Sequence, residues 1–221
     1  MKNFLLVIVL LIPFLFYSCK SAEPIKEERR KQIKAELREM VTIDQVAAKV
    51  RTGKYKAYTE GQWQTFKDSV FQTNQKTIEN YFLQYGYLGY NQVGKEGSNH
   101  FWLLVQHCDH DPAFQRRVLK AMRKAVKKKN ANPENYAYLF DRVQVNAGEK
   151  QLFGTQVDYL VRTTGRAIPK IGLLDSARVD QLRQEHNLGT LKDYLNLMTQ
   201  MHFQMNKASY TAKGITKPDL Y

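Results

Sequence analysis

The chain has 221 residues, of which 43% are hydrophobic, 12% aromatic and 25% charged, and its formal net charge is +13. That balance excludes a largely disordered chain, a multi-span membrane protein and a collagen-like fibre, and two cysteines exclude a disulfide-dense scaffold. The length suits one domain with a single core, and so basic a surface attracts polyanions: nucleic acid, anionic lipid or acidic glycan.

Met1-Lys2-Asn3 places one positive charge before an apolar run from Phe4 to Phe16, and Tyr17-Ser18-Cys19 follows. This is the layout of a secretory signal, and the run is shorter than the roughly 20 apolar residues a spanning helix needs. The cysteine directly after Ser18 resembles the lipobox of bacterial lipoproteins, where the leader is cut before a cysteine whose sulfur carries diacylglycerol. Phe16 and Tyr17 are bulkier than the leucine and alanine usual there, and the alternative is an uncleaved anchor with an incidental cysteine. The expectation is a lipoprotein signal peptide over 1–18, a tether over 19–23 lipidated on Cys19, a mainly helical domain over 24–205 and a loose polar tail over 206–221. Lys20 stands where an aspartate would signal inner-membrane retention. The expected address is therefore the cell envelope, at the outer membrane, with the membrane as partner and no nucleic acid. A lipidated Cys19 leaves Cys108 unable to form an intrachain disulfide.

Helical periodicity begins at Pro24, a good first-turn residue, with an apolar stripe of Ile33, Leu37, Met40 and Val41. It runs through Ala48 and stops before Gly53. A second helix spans about 62–84 on the stripe Trp63, Phe66, Val70, Ile78 and Phe82, with Asn74 interrupting the apolar face. Gly86, Gly89, Gly94 and Gly97 predict a loop over 85–97, without the strand-before, helix-after context of a phosphate-binding loop. Ser98 or Asn99 then caps a short helix, Phe101 to Val105, apolar enough to lie centrally. Asp111-Pro112 starts the next helix, to about Lys129. Its inner stripe is Phe114, Val118, Met122 and Val126, and its outer face carries Arg116, Lys120, Arg123, Lys124, Lys127 and Lys128. Asn132-Pro133 repeats that start for a helix to about Asn146. From Gly148 the texture changes, and 151–160 and 166–171 read as two strands turning at Thr163-Thr164-Gly165. Asp175-Ser176 and Thr190 cap two last helices.

Gln106, His107, Asp109, His110 and Asp111 form the densest polar group. Metal is disfavoured, because the helical zinc motif sets its histidines four apart and these stand three apart across a helix end. The group can instead supply a general base, with Asp109 orienting His107, although no Gly-x-Ser-x-Gly elbow is present to provide a nucleophile. A plainer reading has His107 bonded to a carboxylate while Asp109 or Asp111 caps the next helix. Asp141-Arg142 forms a second group, and 151–156 a third. Read as a strand, the third places Gln151, Phe153 and Thr155 on one face and Leu152, Gly154 and Gln156 on the other. Amides beside an arginine and an aspartate suit sugars or peptide backbones. The basic outer face has a secondary reading as a surface for anionic lipid headgroups.

Asp44-Gln45, Asn74, Tyr85-Gly86-Tyr87, Val93-Gly94, Gln106-His107 with Asp109, Gln115, Asp141-Arg142 and 151–156 stand in an order that resembles the uncharacterised bacterial family of domain-of-unknown-function number 6624. A weaker match continues in Val179-Asp180, Arg183 and Leu188-Gly189, so the resemblance runs from about 33 to 195. Tyr87 stands where that family usually has tryptophan, Phe153 where it has tyrosine, and Cys108 where it has alanine. The resemblance implies no activity; it implies that these polar positions belong to one recurring pattern.

The combined expectation is a mainly α protein, a single helical domain with a small β-hairpin. A pocket of His107, Asp109, Asp141, Arg142, Gln151 and Gln156 binds a polar envelope ligand, a glycan or peptidoglycan fragment, with no cofactor and no metal. The alternatives are a hydrolase using His107 and Asp109, and an interaction protein with no small-molecule site. Cells fed a radiolabelled fatty acid should incorporate label into the wild-type chain, and Cys19→Ser should abolish that incorporation.

Overall fold

The computed structural model describes residues 25–221; the leader, Cys19, the tether and Pro24 lie outside the described residues. The described residues are mainly α, with eight helices and one two-stranded antiparallel hairpin. Helix α1 (Glu27–Ala48) and α2 (Glu60–Tyr85) flank a single 3-10 turn, Gly53–Ala57. They are followed by α3 (Tyr90–Gln106), α4 (Pro112–Lys127) and α5 (Pro133–Asn146). After the hairpin of β1 (Val157–Tyr159) and β2 (Ala167–Pro169) come α6 (Val179–Glu185), α7 (Leu191–Met205) and α8 (Lys207–Ala212). No helix among the described residues is long and apolar enough to cross a membrane.

The helix starts follow from their caps. Thr59 and Gln62 form a reciprocal capping box at α2. Asp111 accepts the Phe114 N–H at 2.9 Å and Asn132 the Glu134 N–H at 2.8 Å, each with proline next in line. Helix α3 packs against α1, α2, α4 and α5. Its Phe101, Leu104 and Val105 are buried with Ile33 and Leu37 of α1, Ile78 of α2, Phe114, Val118 and Met122 of α4 and Leu139 of α5. Trp102 and Leu103 remain partly exposed, so α3 is central without being enclosed all round.

Four sequence expectations require correction. The glycine-rich stretch is not a loop throughout, for helix resumes at Tyr90. There the Gln92 side chain accepts the Gly89 N–H at 3.0 Å and donates to the Tyr85 carbonyl at 2.9 Å. The loop is confined to 86–89, and within α3 Gly94, with φ of 73°, kinks the helix. The strands are three residues each, paired Val157 to Pro169, Asp158 to Ile168 and Tyr159 to Ala167. Residues 151–156 form an irregular segment bridged only at Gln151 to Leu173. Asp175 receives the Arg178 N–H at 3.2 Å, delaying α6 to Val179. The tail is docked, because its aromatic residues anchor it. Tyr210 is buried and stacks on Phe203. Tyr221 donates through its hydroxyl to the Ala167 carbonyl at 2.8 Å, and Asp219 pairs with Arg166.

The 151–156 segment is held by a buried carboxylate. Asp141 on α5 has no exposed surface. It accepts the N–H groups of Leu152 (2.8 Å), Phe153 (3.1 Å) and Thr155 (2.8 Å) and the Thr155 hydroxyl (2.9 Å). Burial pushes its carboxyl above the ordinary value, against the downward pull of those four donors. Gln151 closes the same segment from within, donating to the carbonyls of Gln156 (2.8 Å) and Lys170 (2.7 Å) and accepting the Gln156 N–H (2.7 Å). Gly154 has φ +67°, and a Cβ there would lie 2.8 Å from Leu191, so only glycine suits the turn. Buried Arg183 donates to the carbonyls of Phe153 (2.7 Å) and Gly189 (2.6 Å), fastening the segment to α6. Asp141→Ala would orphan four buried donors, each worth about 1 kcal/mol or more. Urea unfolding should register a loss of at least about 3 kcal/mol, against about 1 kcal/mol for Thr155→Val, which removes one hydroxyl donor.

Candidate functional site

His107 stands at the C-cap of α3, and the α3–α1 packing turns its ring toward α1. Its Nδ1 lies 2.8 Å from Oδ2 of Asp44, a carboxylate 1% exposed. Gln45 donates to the same oxygen at 3.1 Å, and the Phe71 ring packs 5.1 Å from the imidazole. A carboxylate accepts, so Nδ1 carries the proton and Nε2 is left without a hydrogen-bond partner among the described residues. This is the arrangement of an oriented general base. The orienting residue is Asp44, 63 positions away, and not the expected Asp109.

Asp109 faces the other way. It lies beyond the end of α3 and reaches across to α5, where both oxygens receive the Arg142 guanidinium, with Nε at 2.8 Å. Asn146 (2.8 Å) and Gln115 (3.1 Å) also donate to it. Burial pushes the Asp109 carboxyl up, but the Arg142 pair, aided by those two amides, outweighs burial and leaves it below the ordinary value. Asp111 caps α4 and accepts from Gln75 at 2.8 Å, and His110 is exposed. Among the described residues no three His, Cys, Asp or Glu side chains converge as a metal set. Cys108 is buried with its thiol on the Leu104 carbonyl. Burial, reinforced by the charges of Asp109 and Asp44, pushes that thiol far above the ordinary range, which makes it a poor nucleophile.

His107 opens on a cleft of about 460 Å3. One wall is α3, through Trp102, Leu103 and Gln106; the facing wall is α5, through Tyr138 and Arg142. Thr155, Gln156, Val157 and Tyr159 form the floor, and Tyr194 and Met198 of α7 the far side. The Tyr194 hydroxyl donates to the Thr155 carbonyl at 2.7 Å, and burial pushes its pKa upward. Of the six side chains read from the sequence, His107, Arg142 and Gln156 meet on this cleft, and Asp109 stands behind Arg142. Asp141 and Gln151 are fully enclosed and hold the floor segment in place. Sequence reasoning missed Asp44 and the aromatic lining. Asp44 did carry a signal, since Asp44-Gln45 is among the segments of the recurring pattern; Trp102, Tyr138 and Tyr194 are indistinguishable from core positions by spacing.

The architecture defines a mainly helical domain with an aromatic and amide-lined cleft beside a carboxylate-held histidine. The chain belongs to DUF6624, a family of unknown function whose model matches residues 31–205. No curated protein and no solved structure matches it.

Because the Asp109 carboxyl sits below its unfolded value of about 3.9, its contribution is complete above that pH and fades as pH falls through the folded value. The melting temperature of the wild-type chain should exceed that of Asp109→Asn by a constant margin between about pH 5 and 7. Circular dichroism melts should show that margin shrinking below about pH 4.

Proposed function

We propose that this is a cell-envelope lipoprotein, anchored through lipid on Cys19 at the outer membrane, whose cleft binds a glycan or peptidoglycan fragment. The observation that carries the reading is the character of the lining. Trp102, Tyr138, Tyr159 and Tyr194 line it together with His107 and the amides of Gln106 and Gln156. Aromatic faces suit the apolar C–H faces of sugar rings, and amides supply paired donors and acceptors for hydroxyl and peptide groups. Arg142, the one cationic side chain of the lining beside His107, is neutralised by Asp109. The cleft therefore favours a neutral polar ligand over a highly charged one, and the net positive charge of the chain resides elsewhere.

A second reading is favoured by one observation, the Asp44–His107 pair. In a hydrolase His107 Nε2 would take a proton from water attacking the bound substrate, with Asp44 holding the ring and stabilising the imidazolium. The two readings separate by experiment. Soluble muropeptides titrated calorimetrically into the full-length protein should bind saturably, and His107→Ala should weaken binding about tenfold, the worth of one good hydrogen bond. Under the hydrolytic reading the same substitution abolishes product release detected by mass spectrometry and leaves much of the binding. Absence of saturable binding to glycan and peptide fragments alike would sink the proposal.

A further inference from the structure

On the other side of the 151–156 segment lies a second cavity, of about 340 Å3, that shares no lining residue with the cleft. Its walls are Val126, Tyr136, Phe140, Leu152 and Phe153, with His186, and its rim is Arg123 and Lys127. The aromatic side chains of the wall contact one another. The His186 ring stacks on Tyr136 with centroids 5.8 Å apart and meets Phe153 edge-on at 4.6 Å. Its Nδ1 donates to the Leu182 carbonyl at 2.9 Å. Arg123 and Lys127 are one helical turn apart on α4 and both exposed. Helix α4 uses Arg117 to pair with Glu79, whereas Arg123 and Lys127 make no ion pair among the described residues, and no carboxylate lines the cavity.

We propose that this cavity binds an amphiphilic anion, with a carboxylate or phosphate monoester head against Arg123 and Lys127 and a hydrocarbon tail on Phe140, Phe153 and Val126. The physical basis is the pairing of two uncompensated cations with an adjoining aromatic slot, a combination that neither the neutral cleft nor the remainder of the basic helix face offers. A tail that enters the slot exchanges water for apolar contact, so affinity rises about tenfold per two methylenes until the cavity is full. A cationic amphiphile of the same length gains the tail contact but meets two like charges. The same chemistry is presented by a free fatty acid or alkyl phosphate and by a phospholipid in a bilayer.

The test uses the full-length protein in detergent-free buffer, with anilinonaphthalene sulfonate as a fluorescent anion displaced by hexanoate, octanoate, decanoate and decyl phosphate. Displacement should be saturable, strengthen with chain length and fail with decyltrimethylammonium. Arg123→Gln with Lys127→Gln should weaken decanoate at least tenfold. Lys120→Gln with Lys124→Gln, on the same helix but outside the cavity, should change it less than twofold, as should His107→Ala in the cleft. Vesicles of phosphatidylcholine with and without phosphatidylglycerol distinguish the sources. Competition between decanoate and the anionic vesicles identifies the membrane lipid as an occupant, and vesicle indifference identifies the free amphiphile. Non-saturable displacement, equal affinity for the cationic amphiphile, or equal losses in the two double variants would overturn the proposal.

Discussion

The carboxylate of Asp141 governs much of what this fold presents to solvent. A charge with no surface access is costly unless its lone pairs are filled, and here they are filled by the backbone N–H groups of Leu152, Phe153 and Thr155 and by one hydroxyl. The segment has no strand or helix of its own to satisfy those donors, so it adopts the path that the carboxylate dictates. Phe153 is thereby driven into the helical core, while Thr155 and Gln156 are set along the cleft. Arg183 takes up the Phe153 carbonyl of that segment and, with its Nε, the carbonyl of Gly189.

The division of charge follows from the same packing. Helix α4 buries Phe114, Val118 and Met122, which leaves its lysines and arginines on the opposite face in water. The cleft, in contrast, is built where α3 and α5 approach each other, and its one guanidinium is balanced by Asp109. A strongly basic protein can thus carry a nearly neutral cleft. Under the proposed reading, long-range attraction to polyanions and short-range selection of a ligand would fall to different surfaces.

Much of the helical framework was legible because its signals are local. Asp111-Pro112, Asn132-Pro133 and Thr190 announce helix starts through side chains that act within three residues of themselves, and the stripes of α1, α2 and α4 state their buried faces outright. The hairpin was legible in place but not in length. Residues 151–156 misled because alternating amide and apolar side chains mimic a strand, whereas the carboxylate that accepts their N–H groups, Asp141, lies on α5 and can be identified only once α5 is in position. The tail misled because composition averages over a few aromatic anchors such as Tyr210 and Tyr221. At the cleft, three of six side chains were legible together, and the orienting carboxylate was assigned to the nearest candidate in sequence. Asp44 is 63 positions from His107, and nothing in local spacing links them; only the packing of α1 on α3 brings them within reach.

That separation has a consequence for how the molecule can be divided. The cleft draws its histidine support from Asp44 near the end of α1 and its far side from Tyr194 and Met198 of α7, with contributions from most of what lies between. No excerpt shorter than residues 44–198 contains the site. A proteolytic cut that separated α1 or α7 from the rest would remove part of it. A shorter version of the chain could dispense with neither α1 nor α7 and keep the pocket whole.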